Sequence, residues 1–96
     1  MLQLNAADYA QGSIVQSGIA LANEIVENCA QGEEITVSFA GMRGLSSSYF
    51  NPVLKAVKAS LGLDVIGQSL IFDFVSAAQQ AVFNRSLDAV KNADPH

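Results

Sequence analysis

The sequence predicts an α/β domain in the order β-α-β-α-β-α, with three main helices and a small, mostly parallel sheet of three to four strands. Three observations predict it. Glu34-Ile-Thr-Val-Ser-Phe39 is β-branched and aromatic, with Ile35, Val37 and Phe39 on one face, as in a strand. Apolar residues recur at helical spacing over three stretches, beginning near Ser13, among the serines before Phe50, and near Ser76. Short apolar runs alternate with these stretches, and helices between strands imply right-handed crossovers and parallel pairing.

Leu2-Gln-Leu4 alternates apolar and polar residues, which suggests a short first strand. Asp8-Tyr-Ala-Gln-Gly12 reads as a loop, and Ser13 as the N-cap of the first helix. Ile14, Val15, Gly18, Ile19, Leu21, Ala22, Ile25, Val26 and Cys29 form its broad apolar face, with Glu24, Glu27 and Gln31 opposite. Gly32 closes it as a left-handed cap. Gly18 costs about 1 kcal/mol against Ala inside a helix. A close approach of its backbone to the sheet would explain it.

After the strand at 34–39, Ala40-Gly-Met-Arg-Gly-Leu45 is a turn with two glycines. The second helix begins among the serines and runs to about Leu61, with Phe50, Val53, Leu54, Val57 and Leu61 facing the core. With Ser48 as N-cap, Pro52 is the fourth helical residue, in the first turn where a proline is expected to be tolerated. Gly62 to Gln68 connects to Ser69-Leu-Ile-Phe-Asp-Phe74, a near-continuous apolar run expected to be a strand buried on both faces. Ser76 caps a last helix to about Asn92, with Ala78, Val82, Phe83, Leu87 and Val90 inward, and Asp94-Pro-His96 is a tail.

The 96 residues are half hydrophobic, enough for one domain spanning 1–96 with a single core. Only 15% are charged, so much of the surface is apolar or neutral, and association with a partner or with a second copy is expected. The net charge is −4 and is unevenly placed. From Met1 to Met42 there is no Lys or Arg, while Asp8, Glu24, Glu27, Glu33 and Glu34 are acidic; Arg43, Lys55, Lys58, Arg85 and Lys91 all come later. That balance argues against a nucleic-acid partner. Cys29 is the one cysteine, so there is no internal disulfide and no C-x-x-C pair, and a cytoplasmic setting is the default. No signal peptide or membrane-spanning run is evident.

Gly44-Leu-Ser46 begins like a G-x-S-x-G nucleophile elbow, but the second glycine is missing. The sole histidine is terminal His96, a poor general base. A Ser48–Lys55 pair would be two helical turns apart. Gly41-Met-Arg-Gly44 lacks the spacing and the Gly-Lys of a phosphate loop. Asp64 and Asp73 are separated carboxylates, and Cys29 reads as a small buried hydrophobe. The expectation is therefore no enzyme, no metal and no cofactor. A small enzyme or ligand-binding protein is the alternative from another class.

Ser46, Ser47 and Ser48 remain. One serine suffices for a cap, which leaves two without a helical reason. A helix N-terminus favours negative charge, so a phosphate there would be stabilised and would add up to two charges to a neutral surface. Tyr49 beside them is either exposed at an interface or packed inside.

"ITVSFAGMRGLSSSYFNPVL", Ile35 to Leu54, resembles the strand-loop-helix core of STAS-like domains, relatives of the anti-sigma-factor antagonists. "GSIVQSGIALANEIVENC" looks like that family's first helix, and "SLIFDFVSAAQQAVFNRSL" like its last strand and helix. In the antagonists the loop carries Asp-Ser-Ser-Gly or Asp-Ser-Thr-Gly, and a partner kinase phosphorylates its first Ser. Aligned through Gly41, Ser46 takes the Asp position, Ser47 the phosphoacceptor position and Tyr49 the Gly position. Ser38 stands where an Asp often ends the strand. The resemblance is thus to the STAS-like branch more than to a working antagonist. It implies a non-enzymatic interaction module in bacterial-type signalling or regulation. Its partner would be a histidine-kinase-type ATPase or an anti-sigma factor, contacted through Arg43, Ser46, Ser47, Ser48 and Tyr49. Phosphorylation at Ser47 is the alternative.

Overall fold

A computed structural model describes residues 2–10, 12–42 and 45–92. Strands β1 (Leu2–Asn5), β2 (Ile35–Ser38) and β3 (Leu70–Asp73) alternate with helices α1 (Ile14–Ala30), α2 (Ser47–Ser60) and α3 (Ala77–Asn92). Two short 3-10 turns, Ala6–Tyr9 and Leu63–Val65, lie in the connections. The protein is α/β with a three-stranded parallel sheet in spatial order β1-β2-β3.

That order moves the same way at each step, so crossovers of the usual right hand put α1 and α2 on one face. The packing agrees: α1 lies on α2, and α2 on α3. Side-chain alternation follows. Leu4, Ile35, Val37 and Leu70 point into the core, while Gln3, Asn5, Ile71 and Asp73 are exposed. Parallel sheets usually have both faces covered. Here the second face carries the rows Gln3–Thr36–Ile71 and Asn5–Ser38–Asp73 in register, exposed on β1 and β3 and half-buried to buried at Thr36 and Ser38 on the central strand.

This overturns one expectation. β3 is not buried on both faces: Leu70 is buried, Phe72 is half-buried, and Ile71 is 46% exposed. An apolar run reads as two-faced burial only when a layer lies on each side, and β3 is an edge strand with helices on one side.

Ser13 accepts from the Gln16 N–H at 3.1 Å, and the Gln16 side chain accepts from the Ser13 N–H at 3.2 Å, a capping box. At the other end of α1, the Gly32 N–H reaches the Cys29 carbonyl and the Glu33 N–H reaches that of Asn28. This is a Schellman closure, and it needs the positive φ of 88° that Gly32 supplies. Ser76 caps α3 as expected, its hydroxyl accepting from the Gln79 N–H at 3.2 Å.

All five phenylalanines join Tyr49 in one aromatic cluster. Phe39, just past β2, stacks on Phe72 and Phe74 and meets Tyr49 and Phe50 edge-on. Such contacts stabilise by about 0.5–1.5 kcal/mol each beyond area burial. They fix the carboxyl end of the central strand against the start of α2.

Gly18 has a different reason from the one expected. A Cβ there would fall onto the carbonyl oxygen of Tyr49 and lie 3.0 Å from Pro52 Cγ. The close approach is to the backbone of α2, not to the sheet.

Candidate interaction site

Parallel strands end together, and each helix runs back antiparallel to them. The N-termini of α1, α2 and α3 therefore gather at the carboxyl edge of the sheet, where open α/β sheets present their sites. The start of α2 is held from both sides. On one side, Gly18 seats α1 against Tyr49 and Pro52. On the other, the buried Gln79 side chain of α3 donates to the carbonyls of Phe39 at 3.4 Å and Met42 at 3.3 Å. The same side chain accepts from the Val75 N–H at 3.0 Å. Gln79 thus ties the β2–α2 loop to the start of α3.

The serines sit differently from the sequence expectation. The N-cap is Ser46, not Ser48, and α2 starts two residues earlier. Pro52 is then the sixth helical residue, and the carbonyl of Ser48 loses its usual i+4 donor. Ser46 caps through its backbone, its carbonyl accepting from the N–H groups of Tyr49 and Phe50 at 3.0 and 3.2 Å. Its hydroxyl makes no cap hydrogen bond. This sets α2 apart from α1 and α3, where a serine hydroxyl makes that bond. The difference is legible in sequence afterwards: α1 and α3 have Ser-x-x-Gln, while α2 has Ser46-Ser-Ser-Tyr49. Ser46 and Ser47 are partly exposed and Ser48 is exposed.

Tyr49 is not on this surface. It is 1% exposed and packs edge-on to Phe39 and Phe50, so its ring lies in the core. Its hydroxyl is buried with no hydrogen-bond partner among the described residues, and burial pushes its pKa up to about 12. Arg43 lies outside the described residues.

What sequence reasoning missed is the apolar frame. Ile14 and Val15, read as core, are 47% and 46% exposed at the start of α1. They lie one turn before the Gly18 contact with α2. Val75, on the far side of the Gln79 tie, is 59% exposed. Ile14 shares the spacing of the buried Gly18, Leu21 and Ile25, while Val15 falls in the row of the exposed Ile19 and Asn23, so apolar identity alone puts both on the core face.

Elsewhere the chemistry is sparse. Burial raises the Cys29 thiol, and burial followed by Glu24 and Asp8 raises Tyr9. Among the described residues, no three His, Cys, Asp or Glu converge as metal ligands, and no helix is long and apolar enough to cross a membrane. Comparison with protein-family models, with curated proteins and with solved structures finds no match for the chain.

Proposed function

We propose that this domain is a non-enzymatic protein-interaction module in bacterial-type signalling or regulation. It contacts a kinase-like ATPase or other regulator through the Gly41–Phe50 loop and the first turn of α2. The observation that carries the reading is the start of α2 itself. It sits at the carboxyl edge with its cap hydroxyl unused, between the exposed Ile14 and Val15 on one side and Val75 on the other. A serine hydroxyl that makes no cap hydrogen bond, flanked by exposed apolar side chains, suits a protein surface better than bare solvent. The resemblance to STAS-like domains supports the partner class. Co-purification of the native partner with wild type, Ser47→Glu and Val15→Asp chains tests it: both variants should lose the partner while keeping their fold. Full retention by both would reject the reading.

One observation favours a phosphorylation switch at Ser47 as a second reading. Ser47 is the first residue of α2 and is partly exposed. A phosphate there would meet the positive end of the helix dipole. Intact mass after incubation with the cognate kinase decides it; an unchanged mass beside a modified control rejects it.

A further inference from the structure

We propose that the outer face of α1 docks a helix of the partner that carries an apolar row ending in Lys or Arg. The proposal rests on the interaction reading above and names the chemistry of the partner. Val15, Ile19, Asn23 and Glu27 follow one another at i, i+4 spacing, and all four are exposed. They form a continuous ridge about 18 Å long at 1.5 Å per residue. Its amino-terminal half is apolar, with Val15 and Ile19 each 46% exposed, and its carboxyl-terminal half is polar and then acidic. Beside it, the small side chain of Ala20 leaves a shallow cavity of about 280 Å³ walled by Gln16, Ile19 and Asn23. A ridge beside a groove is the relief that a second helix fits with its own i, i+4 row.

Charge selects the occupant. No Lys or Arg occurs from Met1 to Met42, so the acidic end of this face has no cation of its own segment beside it. A partner with an apolar side chain over Ile19 and a cation over Glu27 matches both halves. A second copy of this chain does not. An antiparallel α1 pair would set Glu27 against the other copy's Val15, and a parallel pair would set Glu27 against Glu27. Both arrangements desolvate a carboxylate without a cation.

The test uses the isotope-labelled full chain with a synthetic amphipathic peptide of leucine and lysine, followed by amide NMR shifts. A twin peptide with glutamate for lysine is the control. Shifts should concentrate on Val15 to Glu27, weaken with salt and be absent with the twin. Ile19→Asp and Glu27→Lys, both at exposed positions, should each weaken binding by about tenfold or more. Unmoved α1 amides, equal binding of the twin, or shifts that instead follow dilution of the chain alone would overturn the proposal. Ser47→Glu should leave peptide binding on α1 unchanged while losing the native partner, so failure of this inference and failure of the loop reading are separable.

Discussion

Gly18 lies directly against the carbonyl oxygen of Tyr49, with no room for a Cβ between them. This one contact sets the spacing of α1 and α2 and so the position of the serine-rich helix start. Gly18→Ala gains about 1 kcal/mol of helix propensity. It also forces two helix backbones apart, and overpacking costs typically 1–3 kcal/mol. The second effect wins because the obstructing atom is backbone and cannot rotate away. Denaturant unfolding should show a net loss of stability; an unchanged or increased midpoint would mean the helices are not this close.

Tyr49 gives a paired prediction. Its hydroxyl is buried without a partner among the described residues, so Tyr49→Phe removes a desolvated polar group and should be neutral or slightly stabilising. Tyr49→Ala empties a core position and should cost about 3–5 kcal/mol. Loss of binding in Tyr49→Ala would therefore report unfolding and not a lost contact.

The same hydroxyl gives a pH dependence. Burial raises its pKa from 10.0 to about 12, so the unfolded chain gives up this proton first as pH rises. The stability tied to the protonated ring is fully present below pH 10 and is lost as pH rises through about 12. Unfolding followed across that window should show a decline that Tyr49→Phe reduces. Identical curves for both chains would contradict the burial.

How much of this was legible beforehand depends on what each residue's signal reports. The element order was legible because the apolar alternation at Ile35, Val37 and Phe39 and the capping serines Ser13 and Ser76 are local signals. The one-sided sheet was not, because Ile71 is apolar whether or not a layer covers it. The cap of α2 was misplaced because Pro52 was assumed to need the first four helical positions. Exposure of Val15 was not legible because an apolar side chain reads as core even in a row, here with Ile19 and Asn23, that faces solvent. Burial of Tyr49 followed from its place beside Phe39, a contact between separate elements.

Gln79 tests the loop anchor. Gln79→Ala removes the donor to Phe39 and Met42 and the acceptor for Val75, at a cost of about 1–3 kcal/mol. Hydrogen exchange should quicken in the β2–α2 loop and at the start of α3 before it does in β1 or α1. A uniform rise across the chain would show global destabilisation instead.

Lys58 closes the far end of the helix layer. Its ammonium donates to the Val90 carbonyl at 2.9 Å in the last turn of α3, where a cation also suits the dipole. Lys58→Met keeps much of the apolar stem and loses the charge. It should cost about 1 kcal/mol and fray the end of α3, seen as faster amide exchange near Val90.

The central claim is that the first turn of α2 and its apolar frame form a contact surface. Its most direct test is the affinity of the native partner for folded Ser47→Glu beside wild type, measured by titration calorimetry. We predict a loss of binding of about tenfold or more, as expected when a charge enters a neutral interface. Wild-type affinity in the variant, with its fold intact, would contradict it.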